Sequence, residues 1–376
     1  MHNRRCPRCH TNYGAPARFC VRDGSPLVEV SEPTAEVRPV AMAAAPPASA
    51  AAPEPARSRP LRSEPDANDA PATDAADRRR YSTLSGQTLD ARYRIRRKVG
   101  EGGMSFVYQG EEIGTGRSVA LKVLTPRLSR DPGSVERLKR EASIAMSFAH
   151  PNVCPILRVS QTPEGTLYLV MPFLSGEALS DAEARKGTYS VEEGLPILVQ
   201  SCRGLQHAHD LGIVHRDLKP ENIMLVPDES EPGGVRAVVM DFGLAKQRRA
   251  GADLARLTQT GIVLGTPEFM SPEQIRGKLL DGRSDIYAMG VLAFEMFTGR
   301  LPFDGKNAQE TMLARLRGKP EPIRNIRAEL PARLEATIAR ALQINPGDRQ
   351  GSMEELAHAF ETAGEASGVF ARLFGK

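Results

Sequence analysis

Between about residues 31 and 80 the chain gives up almost all of its aliphatic and aromatic side chains. The run PVAMAAAPPASAAAPEPARSRP is typical: Ala and Pro, with scattered Glu, Arg and Ser. A stretch of this kind cannot bury enough apolar surface to offset the entropy of ordering it. It reads as an extended, disordered tether. AMAAA could pass for a helix, but Pro46 and Pro47 interrupt it. The tether restricts the folded part of the chain to a small unit before it and a large one after it.

The large unit runs from about Tyr93 to about Thr362, where apolar runs return with Gly and Pro punctuation. YRIRRKVG, SFVYQGEEI, SVALKVL and TLYLVMPFL read as strands, and SVERLKREASIAMSF between them as a helix. Beyond these the apolar spacing is helical, as in EEGLPILVQSCRGLQHAHDLG and SDIYAMGVLAFEMFTG. A small β-rich lobe followed by a larger helical lobe is an α+β arrangement, and ligand sites favour the cleft between two such lobes. No internal repeat is visible, and the expected division is 1–28, 29–92, 93–362 and a short tail, 363–376.

Five motifs follow one another along this unit. Val99, Gly100, Glu101, Gly102, Gly103, Met104, Ser105, Phe106 and Val107 form a Gly-rich turn with the GxGxxGxV layout, Ser105 standing where a third Gly is usual. Alone it is only a turn. Lys122, two residues after Ala120 in VALK, lies mid-strand in an apolar run, where a charge needs a partner or a strand edge facing water. Glu141 on the following helix is a candidate partner, although by itself it reads as a solvated face residue. HRDLKPEN (His215–Asn222) matches an active-site loop at every position, and DFG (Asp241–Gly243) follows after the short strand AVVM. Chance is a poor explanation for the set in this order.

On these residues the unit resembles the catalytic domain of protein kinases, of the bacterial eukaryotic-like serine/threonine type. GTPEFMSPE (265–273), SDIYAMGVLAFEMFTGRLPF (284–303) and NPGDR (345–349) extend the resemblance, which does not reach residues 1–80. It implies the two-lobed kinase fold, ATP and Mg²⁺ as cofactors, and Ser/Thr hydroxyls of proteins as acceptors. It implies the Gly-rich loop over the phosphates and Lys122 on the α- and β-phosphates, held by Glu141. Asn222 and Asp241 would hold the metal, Asp217 would accept the substrate proton, and Lys219 would neutralise γ-phosphate charge. Met171 is the implied gatekeeper, with adenine bonded by the Pro172 carbonyl and the Leu174 N–H. Proline lacks only the N–H, which is not required there. The ribose partner stays open between Glu177 and Asp181.

The resemblance also implies a regulated activation segment. Arg216 before the catalytic Asp would meet a phosphate on Thr258 or Thr260, with a transient homodimer for trans-autophosphorylation. Thr266 and Lys219 fit Ser/Thr rather than Tyr acceptors. Glu273 and Arg349 are the implied buried ion pair, and Asp285 the brace of the catalytic loop. Cys154 and Cys202 sit in apolar runs and read as core, and His207 and His209 as packing.

The front unit holds Cys6, Cys9, Cys20 and Asp23, a CxxC pair followed by CxxD at zinc-ribbon spacing. Zinc is the expected ligand, with His10 and His2 as rivals of Asp23 and a redox pair as the alternative chemistry. So few residues cannot build a core, so metal would supply the folding energy. Such a head would serve as a tethered docking or sensing module. The chain carries no secretory signal pattern, no apolar run of membrane-spanning length and an odd cysteine count, which together point to the cytoplasm. A net charge of +4 is too small to suggest nucleic acid. The rival function is a catalytically dead scaffold, against which Lys122, Asp217 and Asp241 all stand in place. The tail EASGVFARLFGK reads as a short amphipathic helix docking on the kinase unit.

Overall fold

The computed structural model describes residues 83–102, 105–125, 132–163, 165–231, 233–242, 267–303, 305 and 307–365, with the backbone of 3–5, 12–13 and 28–30. By Cα packing the chain divides into two units, 1–65 and 66–376. In the first, strands β1 (Asn3–Arg5), β2 (Asn12–Tyr13) and β3 (Val28–Val30) pair antiparallel in the order β2-β1-β3.

The second unit begins with β4 (Thr88–Leu89), β5 (Tyr93–Glu101), β6 (Ser105–Glu112) and β7 (Arg117–Leu124). Helix α1 (Pro132–Ala145) follows, then β8 (Arg158–Gln161) and β9 (Leu167–Pro172). The strands form one six-stranded antiparallel sheet in the order β4-β5-β6-β7-β9-β8. Period-2 alternation splits β7 between two faces. Val119, Leu121 and Val123 are buried with Phe106, Tyr108 and Tyr168 in a core on one face. Ala120 and Lys122 occupy the alternate, half-buried positions of the same strand.

The helix expected over SVERLKREASIAMSF stops at Ala145, short of Phe148. The Ser147 N–H bonds back only three residues, to the Ile144 carbonyl at 2.9 Å. Pro151 then biases His150 away from helical backbone. Phe148 therefore leaves the helix and enters the large core, 6% exposed.

That core fills the helical lobe. It contains β10 (Glu177–Ala178), α2 (Leu179–Lys186), α3 (Val191–Asp210), β11 (Ile223–Pro227), β12 (Val235–Val239) and α4 (Pro272–Ile275). Then come α5 (Arg283–Thr298), α6 (Ala308–Arg317), α7 (Ile323–Ile326), α8 (Ala332–Ala341) and α9 (Met353–Glu365). Ser190 starts α3 with a reciprocal capping box to Glu193. Helix α5 is apolar all round and buried from Ser284 to Phe294, as expected of a central helix. It stops at Gly299, whose left-handed φ of 68° suits a residue without Cβ. Strands β10, β11 and β12 form a small antiparallel sheet, with Asn222 just before β11 and Asp241 just after β12. None of the helices among the described residues is long and apolar enough to cross a membrane.

Candidate active site

The site grows from the ends of regular elements. In β7, Lys122 pairs across to Val107 on one side and Leu169 on the other. Its ammonium lies 2.7 Å from Asp241 Oδ1. Asp241 follows β12 by one residue and has a left-handed backbone, φ 55°. Burial works against the Asp241 carboxylate, yet the Lys122 charge and hydrogen bond outweigh it and hold the carboxyl below its usual range.

The loop between α3 and β11 supplies the rest. Arg216, with φ 65°, is a second non-glycine residue in the left-handed region. Such strain persists only where neighbours over-determine it. Asp285, 1% exposed at the start of α5, accepts the His215 N–H at 2.8 Å and the Arg216 N–H at 2.9 Å. His209 Nε2 lies 2.7 Å from the same carboxylate. Burial works to raise the Asp285 pKa, but the His209 contact and the His215 N–H bond help outweigh it and hold it low. His209, read from sequence as packing, thus supports the brace. The alternating polarity of a helix gives no hint of that, because its partner lies in α5, far along the chain.

His215 is fully buried. Its Nε2 is 2.8 Å from the Met240 carbonyl, which can only accept, so the proton sits on Nε2. Nδ1 then accepts the Asp217 N–H at 3.3 Å. Asn222 donates from Nδ2 to the Asp217 carbonyl at 2.7 Å, and its own carbonyl accepts the Met240 N–H at 2.8 Å. The loop is therefore stitched to the strand that delivers Asp241. Phe242 packs against His215 at 4.8 Å and Phe148 at 5.0 Å between ring centroids. The sequence pattern does not reveal Phe148 as a neighbour of the site, since it extends the helix too far.

Met171 and Pro172 lie on the six-stranded sheet, as Lys122 does. Met171 pairs with Ala120 and Pro172 with Val119 between β9 and β7. Leu174 follows on the linking segment, half-buried. Gly176 comes so close to β11 that a Cβ there would meet the Leu225 carbonyl oxygen at 2.2 Å. Of the two ribose candidates, Glu177 is paired with Arg185 at 2.6 Å, and Asp181 stands in the first turn of α2. At the Gly-rich turn the Gly102 N–H bonds the Ser105 carbonyl at 2.9 Å. Glu141 lies half-buried on α1, and Asp217 and Lys219 are half-buried in the loop. Gly103, Met104, Gly243, Thr258, Thr260, Thr266, Cys6, Cys9, Cys20 and Asp23 lie outside the described residues, as does the 366–376 tail.

Two supporting features complete the frame. Arg349, 2% exposed, holds Glu273 with bonds of 2.7 and 2.8 Å. Cys154 is buried, and burial first, then the Asp241 charge, pushes its thiol up to about 12, so it remains a protonated core residue.

A β-rich lobe carrying a strand lysine, over a helical lobe carrying an HRD loop and an aspartate after β12, defines a phosphotransferase class of fold. The protein kinase domain model matches residues 93–361, and the chain belongs to that family. It is 40% identical over 271 residues to serine/threonine-protein kinase pkn3 of Myxococcus xanthus, covering 72% of this chain and 49% of that one. It is 35% identical over 283 residues to serine/threonine-protein kinase PrkC of Bacillus subtilis (strain 168), covering 75% and 42%. The chain thus spans about half or less of the length of these curated relatives. The crystal structure of the Mycobacterium tuberculosis PknI kinase domain superposes with a TM-score of 0.58 at 29% identity, over 74% of this chain and 98% of that one. The two-lobed kinase fold expected from the sequence is the fold found.

Proposed function

We propose that this chain is a serine/threonine protein kinase that moves the γ-phosphoryl group of ATP to Ser and Thr hydroxyls of proteins. The observation that carries the reading is the joining of Lys122, from the sheet, to Asp241, from the helical lobe, beside the Asp217–Asn222 loop. Phosphoryl transfer asks mainly for positioning and for positive charge where negative charge develops. Lys122 supplies charge to the α- and β-phosphates, and Lys219 to the γ-phosphate. Asp217 accepts the hydroxyl proton and points the oxygen along the line of attack. Its backbone is held at both peptide groups, by His215 and by Asn222.

Asn222 commits Nδ2 to the loop, which leaves Oδ1 as a neutral oxygen donor, and Asp241 brings a carboxylate. A set of hard oxygens fits Mg²⁺. When bound, the ion would neutralise charge on the phosphate oxygens. The Arg216 Nε is buried with no hydrogen-bond partner among the described residues. That orphaned donor supports a phosphate on Thr258 or Thr260 as its partner in the active form. The front unit is a zinc head at Cys6, Cys9, Cys20 and Asp23, joined by the Ala/Pro tether and serving as a docking module.

The test is transfer from labelled Mg-ATP to a basic protein acceptor. The wild type should label Ser and Thr and not Tyr. Asp217→Asn keeps the shape and loses the proton acceptor, with kcat falling by about 10²-fold or more. Equal activity of the two proteins would leave only a scaffold role.

A further inference from the structure

Gln274 does two jobs with one side-chain amide. Its Oε1 accepts the Ser271 N–H at 2.9 Å, while the Gln274 N–H donates to Ser271 Oγ at 3.3 Å. This is the capping box that starts α4. Its Nε2 turns the other way and donates to the Arg216 carbonyl at 2.7 Å. That carbonyl belongs to the peptide bond joining Arg216 to Asp217. The preceding peptide of Arg216 is held by Asp285, which accepts the Arg216 N–H. The left-handed residue is thus gripped on both sides, by a carboxylate at its N–H and by an amide at its carbonyl.

We infer that Gln274 is a positioning residue for Asp217, transmitting the placement of the 267–275 segment to the catalytic loop; this rests on the kinase reading above. The chemistry requires an amide. A capping box accepts either Glu or Gln, because only an acceptor oxygen is needed. The bond to the Arg216 carbonyl needs a donor, which an ionised carboxylate lacks. Without the donor the half-buried carbonyl loses its partner and faces a carboxylate. The left-handed residue before Asp217 then has one restraint instead of two, and Asp217 spends less time in its reactive orientation. A misplacement of a catalytic group by a fraction of a bond length is enough to slow transfer.

Two variants separate the roles. Gln274→Glu retains the acceptor of the cap and removes the donor to Arg216. Ser271→Ala removes the hydroxyl half of the cap, keeps the position-271 N–H bond to Gln274 Oε1, and retains the donor to Arg216. The proposal expects kcat to fall about tenfold in Gln274→Glu, as for one lost hydrogen bond in the site, with KM for ATP little changed. It expects Ser271→Ala to lower the melting temperature with kcat within about twofold of wild type. A pH series adds a signature that a merely structural role would not give. As pH falls, the introduced carboxyl takes up a proton and can donate to the Arg216 carbonyl again. The rate of Gln274→Glu relative to wild type should therefore recover toward acid pH. Amide hydrogen exchange of the 213–222 peptide reads the grip without relying on activity. It should speed up in Gln274→Glu and stay unchanged in Ser271→Ala. If the wild type transfers no phosphate, the kinase reading fails while exchange still decides on the grip. Wild-type kcat and exchange in Gln274→Glu, or equal losses in both variants, would overturn the inference.

Discussion

Lys122 and Asp241 meet at 2.7 Å across the cleft, one from the sheet and one from the end of β12. Each offsets the cost of holding the other's charge out of bulk water, and the pair joins the two lobes. Lys122→Met removes the ammonium and leaves a side chain of similar length. The Asp241 carboxyl should then titrate higher, because burial acts with nothing to oppose it at that contact. Carbon-detected NMR titration of the carboxyl reads this directly, and an unchanged midpoint would show that other groups set it. Phosphoryl transfer by the same variant should drop by about 10²-fold or more, as for loss of a preorganised charge at the phosphates.

The Glu273–Arg349 pair should be structural. Arg349 also donates to the carbonyls of Gln343, Arg283 and Ile344 and covers the Tyr287 ring at 4.9 Å. Arg349→Met would leave Glu273 buried without its cation, at a cost of about 3–5 kcal/mol. Urea unfolding should detect it as a lower midpoint at constant slope. The pH dependence has a definite sign. Burial pushes Glu273 up, but Arg349 pulls it further down, so its native pKa lies below its unfolded one. The pair's contribution is complete above the unfolded glutamate value and is lost as pH falls through the native one. In Arg349→Met that acid-side loss should shrink; an unaltered acid limb would assign it to other carboxylates.

Legibility in the sequence followed the range of the interactions. Strand alternation in β7 and the motif order are local, and they placed Lys122 in a strand and Asp241 just past one, as found, while the roles of Asp217 and Asn222 came from the resemblance. Glu273 with Arg349 and Asp285 under the catalytic loop were reached through resemblance, since their partners lie far apart in sequence. His209 and Gln274 escaped because each acts through a partner on another element, Asp285 and Arg216. Phe148 escaped for a different reason. Its spacing continues that of α1, and only the turn before Pro151 redirects it toward Phe242.

Arg216 gives the activation segment a physical test. Its buried Nε has no partner among the described residues, and a phosphate brings nearly two negative charges with three acceptor oxygens. Mass spectrometry of protein made in active form should find phosphate on Thr258 and Thr260. Asp217→Asn protein made alone should carry none. A Thr258→Ala, Thr260→Ala double variant should lose most activity on an external substrate. Full activity in that variant would mean the segment is ordered by other contacts.

The front unit supplies the last test. Cys6, Cys9 and Cys20 with Asp23 give three soft thiolates and one carboxylate, a donor set suited to tetrahedral zinc. Protein purified without chelator should contain about one zinc per chain. In the proposed site three thiolates and a carboxylate would over-neutralise the ion, and Arg4, Arg5, Arg8, Arg18 and Arg22 would offset the excess. Cys20→Ser should abolish zinc binding, and Asp23→Ala should weaken it. Zinc unchanged in Asp23→Ala would move the fourth ligand to His10, His2 or water, and zinc-free wild type would reject the site. On the proposed reading of 31–80 as a flexible tether, Cys20→Ser should leave the rate on a small free peptide within about twofold of wild type. A crippled peptide rate would instead make the head an integral regulator of the catalytic domain.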